Sequence, residues 1–186
     1  LTIARLGDGI FAQITSIFAA VNTADGCYVA NGSLDEFRDI IASNNIIKYG
    51  MDLKTCHSLL QRQGIRLNGK LCDIELMHYV ISPETSHKLD ILMRAYLDIN
   101  INAQAPQEEE APMELDLFGA AMDDQADSDE ADAFTRNAAS CAILGPVLLE
   151  ELGKTAQETL YFQIEEPLIR VLSRMELSGV KVDMNS

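Results

Sequence analysis

The sequence predicts an α/β domain in which helices flank a mixed β-sheet. Short apolar, strand-like runs come first along the chain, and segments with strand and helix patterns alternate after them. This order of elements is typical of a sheet covered by helices on its faces. With 186 residues, of which 47% are hydrophobic, the chain can bury one sizeable core without disulfides or bound metals.

The first part of the predicted sheet is antiparallel. Residues 1–6 alternate loosely between apolar and polar side chains, and residues 14–21 and 27–30 are apolar runs. Residues 22–26, which end in Asp25-Gly26, link the two runs as a hairpin turn would. We therefore expect three antiparallel strands, followed by a further strand at residues 46–49.

Helical spacing of apolar residues predicts the remaining elements. Ser33 and Glu36 have the spacing of a capping box and predict that a helix begins there. Further helices are predicted at residues 53–63, 73–81, from 86 onward, 134–151 and 160–177. The last of these is amphipathic, and the side chains predicted to face the core are Leu160, Ile164, Leu168, Val171, Leu172 and Met175.

One acidic segment carries most of the charge. The formal net charge is −15, and residues 104–132 hold eleven Asp and Glu and no Lys or Arg, so the other 157 residues carry −4. Such a segment cannot bury enough apolar surface to order itself, and we expect a disordered loop over residues 100–132. An acidic surface is also expected to bind nucleic acid poorly, because affinity depends on Lys and Arg at the phosphates.

The four cysteines contain no closely spaced pair that would indicate structural zinc. We expect Cys27, Cys56, Cys72 and Cys141 to be buried, reduced thiols, and the cytoplasm to be the compartment. No apolar run reaches the ~20 residues of a membrane span. The abrupt start at Leu1 suggests a portion of a longer protein.

Two segments carry recognisable motifs. The first reads Ile47-Lys48-Tyr49-Gly50-Met51-Asp52-Leu53-Lys54-Thr55-Cys56, followed by Gly64-Ile65, Asp73 and Pro83-x-x-Ser86-His87-x-Leu89-Asp90. The second reads E-P-L-I-x-V-L-x-x-M-E-x-x-G-V-K-V-D over residues 166–183. They resemble the second exonuclease motif and the opening of the polymerase domain in bacterial family A DNA polymerases, the group of DNA polymerase I. Outside the acidic loop, the resemblance covers nearly the whole chain.

The resemblance implies a fold and a division into domains. It implies a ribonuclease H-like mixed sheet flanked by helices, with a C-terminal helix leading into a polymerase domain. Residues 1–153 would be a 3′–5′ exonuclease-like domain, and residues 154–186 would begin the polymerase domain. The parent protein would then synthesise DNA on a template, with Mg²⁺ held by residues outside this chain.

The same resemblance implies that the nuclease chemistry is missing. In active members, four carboxylates hold two divalent metals about 4 Å apart. One metal activates water, and the other stabilises the leaving oxygen. The matching positions here are Ala4, Leu6, Cys56 and Ser140, and none of them is acidic. A thiol is a poor ligand for Mg²⁺, which prefers oxygen. We therefore expect no catalytic residue, metal or other cofactor in this chain.

The remaining polar residues have structural interpretations. Asp52 and Asp73 could substitute as metal ligands, but both precede helices and are better interpreted as caps. The histidines His57, His78 and His87 show no metal or catalytic spacing. The cations at positions 48, 54, 62, 66 and 70 are better interpreted as a solvated face than as a DNA track.

A short peptide inside the acidic segment resembles a docking motif. Glu114, Leu115, Asp116, Leu117 and Phe118 are similar to the Q-L-(S/D)-L-F peptide by which bacterial replication proteins bind the sliding clamp. Glu114 replaces the glutamine, which donates as well as accepts hydrogen bonds. A chance match in a biased window is the competing interpretation.

Three functions follow from these observations. The first is a non-catalytic exonuclease-like scaffold of a DNA polymerase, with the polymerase domain of the same chain and DNA as partners, and no membrane. The second is an active metal-dependent 3′–5′ exonuclease that proofreads. The third is an adaptor whose acidic loop binds the sliding clamp.

Overall fold

The computed structural model describes residues 1–6, 9–101 and 123–179, which form two small sheets flanked by helices. One sheet is antiparallel in the order β1-β2-β3, and the other is a parallel pair, β4-β5. The strand bounds are Thr2–Leu6 for β1, Gln13–Thr23 for β2, Gly26–Gly32 for β3, Lys48–Gly50 for β4 and Leu71–Asp73 for β5. The predicted mixed sheet is thus divided into two sheets. They approach each other where the nitrogen of Leu1, just before β1, donates to the carbonyl of Tyr49 on β4 at 2.7 Å.

The helices surround this sheet. Their bounds are Arg38–Ala42 for α1, Leu53–Arg62 for α2, Ile74–Ile81 for α3, Leu89–Leu97 for α4, Asp123–Lys154 for α5, Glu158–Leu160 for α6 and Glu166–Ser178 for α7. A 3₁₀ turn spans Gly9–Phe11, and a π-helical turn, Tyr161–Glu165, joins α6 to α7. In the described part of the chain, no helix combines the length and apolar character needed to cross a bilayer.

The hydrophobic core has two layers separated by the parallel strands. Successive side chains of a strand point to opposite faces. Leu71 accordingly contacts one buried cluster, which includes Leu53, Leu60 and Ile169. Cys72 contacts the other, whose members include Met77, Leu92, Cys141, Leu148 and Tyr161. Helices α2 and α7 therefore cover one face, and α3, α4 and α5 cover the other.

Helix α5 packs closely against strand β4 at Gly145. A Cβ atom at Gly145 would lie 2.1 Å from the ring of Tyr49 on β4, so only glycine permits this close approach. Further toward the N-terminus of α5, Phe134 stacks on Phe18 of β2 with ring centroids 5.5 Å apart. Helix α5 thereby packs on both sheets.

Several elements begin or end elsewhere than predicted. Helix α5 begins at Asp123, so residues 123–132 are helical although we expected them in the loop; residues 102–122 lie outside the described residues. Helix α1 begins at Arg38, because the Ser33 hydroxyl donates to the Glu36 side chain (2.9 Å) instead of accepting from a helix amide. Helix α4 begins at Leu89, and its N-cap residue is Lys88 rather than Ser86.

The prediction of the buried face of the last helix is wrong. All six side chains predicted to face inward are exposed. Their exposed fractions range from 39% for Leu168 to 62% for Met175. Tyr161, Glu166, Ile169 and Ser173 are buried instead. The π-helical turn inserts extra backbone before α7 and rotates its face relative to an uninterrupted helix. We call the six exposed side chains of residues 160–175 the apolar stripe.

Candidate functional site

The positions that match the nuclease motifs converge at the centre of the fold. Ala4 and Leu6 lie on β1, where their backbones pair with Ser16 and Gln13 of β2; the side chains of Ala4 and Leu6 are outside the described part of the structure. Cys56 lies in the first turn of α2, and Ser140 is buried in α5, which packs against β1. Two of these positions therefore lie on β1, one on α2 and one on α5, and their assignment to nuclease motifs stays a prediction.

Cys56 is a core thiol. Its side chain is buried in the cluster with Leu53 and Leu60, and its sulfur lies 3.8 Å from the Met51 carbonyl oxygen. Burial, and to a smaller extent the charges of Asp52 and Asp73, raises the pKa of the Cys56 thiol to about 12. Without a bound metal, the Cys56 thiol is therefore neutral at pH 7.

Asp73 uses both carboxylate oxygens to hold two helices. One oxygen accepts a hydrogen bond from the Leu53 amide at 2.8 Å, and the other accepts from the Leu76 amide at 3.1 Å. These amides belong to the first turns of α2 and α3. Burial raises the pKa of Asp73 to about 6, although the two amide bonds act in the opposite direction. The predicted capping role of Asp73 is confirmed.

Asp52 caps α2 and also pairs with a cation. It adopts a left-handed conformation with φ 48°, and its Oδ1 accepts from the Thr55 amide at 3.3 Å. Its other oxygen lies 3.4 Å from a guanidinium nitrogen of Arg5, the residue between Ala4 and Leu6. The capping interpretation is confirmed for Asp52 too. The positive charge of Arg5 lies beside this exposed carboxylate.

The site opens into a broad cleft. Asp52, Asp73 and Glu75 line one side, and Leu168 and Leu172 of the apolar stripe line the other. Burial, then the charge of Asp52, raises the pKa of Glu75. Among the described residues, no three His, Cys, Asp or Glu side chains are grouped closely enough to hold a metal ion.

Two histidine contacts were not apparent from sequence. The Nδ1 atoms of His78 and His87 lie 2.8 Å apart, across the turn that Pro83 begins. Burial, then the neighbouring His87, lowers the pKa of His78, so one ring of the pair stays neutral. His57 Nδ1 lies 2.7 Å from the Ser173 hydroxyl of α7. Sequence spacing missed both contacts because each depends on how separate segments pack.

The cations interpreted as one solvated face are distributed differently. Lys48 is buried, and its ammonium donates to the carbonyls of Ser43 and, at 2.7 Å, of Asn68. Burial lowers the pKa of Lys48. Lys54 pairs with Glu176 at 2.5 Å, so only part of the predicted face is solvated.

The cysteine prediction holds for three of the four residues. Cys56, Cys72 and Cys141 are buried and unbridged, whereas Cys27 on β3 is half-buried. Burial raises the pKa of Cys72 to about 12 and that of Cys141 to about 11. The predicted clamp-binding peptide, Glu114 to Phe118, lies outside the described residues and stays a prediction.

A three-stranded antiparallel sheet beside a pair of parallel strands, with helices packed around both, agrees with the ribonuclease H-like class. The model of the family described as DNA polymerase I, ribonuclease H-like domain, matches residues 11–105. That match covers just over half of the chain, and the chain belongs to this family.

Individual relatives agree with this assignment. The chain is 25% identical over 186 residues to DNA polymerase I of Bacillus subtilis strain 168, which covers 97% of this chain and 20% of the relative. It is 31% identical over 129 residues to DNA polymerase I of Mycobacterium tuberculosis H37Rv (69% and 13%). It is 28% identical over 134 residues to that of Geobacillus stearothermophilus (71% and 14%). The chain thus spans a fifth or less of these relatives.

A solved structure shares the fold. It is described as the POL domain of Pol1 from M. smegmatis in complex with DNA primer-template and dNTP. The TM-score is 0.70 at 20% identity, over 97% of this chain and 28% of that one. At this identity the match supports the architecture of the domain.

Replacing Asp73 by alanine should lower the free energy of unfolding by about 3 kcal/mol, because two buried amides lose their acceptor at ~1–3 kcal/mol each. The matched control, Asp52→Ala, removes a half-exposed cap and should cost only about 1 kcal/mol. Urea denaturation measures both losses. Amide exchange should accelerate at Leu53 and Leu76 in the first variant only. Equal losses in the two variants would contradict this role of Asp73.

Proposed function

We propose that this chain is a non-catalytic, exonuclease-like scaffold domain of a DNA polymerase I. The longer protein would carry out template-directed DNA synthesis in replication and repair in the cytoplasm, with Mg²⁺ bound by its polymerase domain. The observation that carries the proposal is the commitment of the remaining acids to structure. Asp73 caps two helices, and Asp52 caps one helix and pairs with Arg5.

Two-metal hydrolysis needs several ionised oxygens with free lone pairs around the metals. At this site the Cys56 thiol is neutral, and Arg5 adds a positive charge that repels cations. The alternative, an active 3′–5′ exonuclease for proofreading, would have to take its metal-binding oxygens from the described acids that line the cleft, Asp52, Asp73, Glu75 and Glu165. Using Asp73 as a ligand would withdraw it from the amides that start α2 and α3.

The chain should not shorten a 5′-labelled single-stranded DNA in the presence of Mg²⁺ or Mn²⁺, because no metal pair can assemble. Gel electrophoresis of timed reactions measures this directly. The control is Asp52→Asn, which should give the same background as the unchanged chain. Shortening that survives repurification and disappears in Asp52→Asn or Asp73→Asn would identify an active nuclease and overturn the proposal.

The scaffold role depends on the apolar stripe. Its six side chains are 39% to 62% exposed and follow one another along α6, the π-helical turn and α7. A continuous apolar surface on a monomer marks an interaction site. The stripe lies in the segment that leads into the polymerase domain, so that domain of the same chain is the partner we propose for it.

A cysteine placed in the stripe should report this docking. In a Cys27→Ala background, Met175→Cys should react rapidly with a maleimide in the 186-residue chain, where Met175 is 62% exposed. In a longer protein that includes the polymerase domain, the reaction should be at least about tenfold slower, because the site is covered. Val21→Cys, at an equally exposed position (62%), should react alike in both. Equal rates for Met175→Cys in the two proteins would show that nothing covers the stripe.

We also propose that Glu114, Leu115, Asp116, Leu117 and Phe118 bind the sliding clamp, on the strength of their L-D-L-F sequence among acids. A synthetic peptide of residues 111–122, titrated against the clamp, should bind near the micromolar range, or about −8 kcal/mol. Phe118→Ala should abolish binding because an aromatic anchor is lost, and Glu114→Gln should tighten it. Absence of saturable binding by both the native and the Gln peptides would show a chance match.

A further inference from the structure

A polar concavity of about 740 Å³ lies on the side of the fold where α2 meets α7. Its walls are the end of α2, the loop of residues 64–68 and one edge of α7. It contains the side chains of Arg66, Arg170 and Arg174 together with His57, and none of the described residues that line it is acidic. The chain has 29 acidic and 14 basic residues, so a concave surface lined by basic side chains differs in charge from the chain as a whole. We call it the arginine pocket.

Arg170 forms the fixed part of the arginine pocket. One guanidinium nitrogen pairs with Glu166, and another donates to the Gly69 carbonyl at 2.8 Å. Arg66 and Arg174 are exposed, and neither side chain has an ion pair or hydrogen bond within the described part of the chain. Two guanidinium groups therefore remain available beside a third whose orientation is set. Guanidinium forks match the geometry of phosphate oxygens.

The hydrogen-bond chain behind the arginine pocket determines the state of His57. The Ser58 hydroxyl donates to the Lys54 carbonyl at 3.0 Å, and the hydroxyls of Ser58 and Ser173 lie 2.8 Å apart. Each hydroxyl has only one proton to donate. All the bonds are satisfied when Ser173 donates to Ser58 and His57 Nδ1–H donates to Ser173. The other ring nitrogen, Nε2, is then left for the pocket.

Nε2 of His57 reaches the open side of the ring. Within the described residues Nε2 has no hydrogen bond, and no fully buried side-chain nitrogen or oxygen there lacks a partner, so Nε2 is not fully buried. Burial, and then the charges of Arg170 and Arg174, lowers the pKa of His57. The nearby acids are already engaged, Glu166 with Arg170 and Glu176 with Lys54. At neutral pH the unoccupied pocket therefore holds a neutral imidazole.

We propose that the arginine pocket binds a phosphate group of a single nucleic-acid strand, and that His57 takes up a proton when the phosphate binds. The anion would offset the arginine charges and accept a hydrogen bond from Nε2–H. Both effects favour the protonated ring, so binding and protonation reinforce each other. This inference does not depend on the scaffold role or on the absence of nuclease activity.

A strand fits the surroundings better than an isolated ion. A second concavity adjoins the arginine pocket and shares Asn68 and Arg170 with it. It adds Lys70, whose ammonium lies 4.5 Å from the centroid of the Phe162 ring. Glu166 also lines this second concavity, where it pairs with Arg170, so Lys70 is the cation there that suits the next phosphate of a chain.

Fluorescence anisotropy with a labelled ten-nucleotide oligothymidylate at low salt tests the proposal on the 186-residue chain. Arg66→Ala and Arg174→Ala should each weaken binding by roughly tenfold, because each removes a charge-assisted phosphate contact. Arg38→Ala is the matched control, since Arg38 is an exposed arginine on α1 paired with Asp35, and it should leave affinity unchanged. Arg170 is kept, because its loss would remove the cation that pairs with the buried Glu166.

The pH dependence separates the specific site from general attraction. Affinity should rise as the pH falls from 8 to 6, by at most about tenfold per unit, because one proton is taken up. His57→Asn should remove this slope while keeping the fold, as judged by the melting temperature. A slope that persists in His57→Asn would overturn the proton linkage.

Competition with inorganic phosphate and thymidine monophosphate distinguishes the possible ligands. If either competes at concentrations close to those of the oligonucleotide phosphates, the pocket serves a small phosphate ligand and the assignment to a strand is wrong. If no ligand binds, or if Arg38→Ala weakens binding as much as Arg174→Ala, the proposed site is wrong. Strand binding that only the pocket arginines and His57 control supports it.

Discussion

The carboxylate of Asp73 is the point at which the parts of this fold are joined. Asp73 is the last residue of β5. Its carboxylate accepts hydrogen bonds from the backbone amides that begin α2 and α3, and it lies between the two hydrophobic layers. Its own amide donates to the Tyr161 hydroxyl at 2.8 Å, and that hydroxyl donates to the Leu71 carbonyl at 3.1 Å. One strand end therefore orients two helices and anchors the π-helical turn. Both carboxylate oxygens of Asp73 therefore hold helix termini in place.

A neutral side chain at Cys56 suits the folded state. The thiol belongs to the core layer that contains Leu53 and Leu60. An aspartate in that place, without a bound metal, would bury a charge near Asp52 and Asp73, and an uncompensated buried charge is costly. A neutral, weakly polar side chain avoids this repulsion and adds apolar burial. The cysteine at this position is thus consistent with a stable core.

Sequence patterns identified elements whose signals are local. The hairpin of β2 and β3 and the helices α2 and α3 were predicted to within a few residues, because apolar runs, a turn and capping aspartates mark them. Strand β5 was missed, since three residues become a strand only by pairing with β4. The motif comparison pointed to Cys56. No sequence pattern could predict that Arg66 and Arg174, which lie more than a hundred residues apart, line the same pocket.

Helix α7 illustrates the main limit of periodicity. The pattern identified the most apolar face of the helix and assigned it to this domain's core. The face that is actually buried contains Glu166 and Ser173, whose burial is stabilised by Arg170 and by the His57 and Ser58 side chains. Polar anchors thus fix α7 to the domain. The apolar stripe lies on one side of the helix, and on the other lies Arg174, whose side chain has no ion pair within the described residues. A helix attached through hydrogen bonds can present two chemically different surfaces at once.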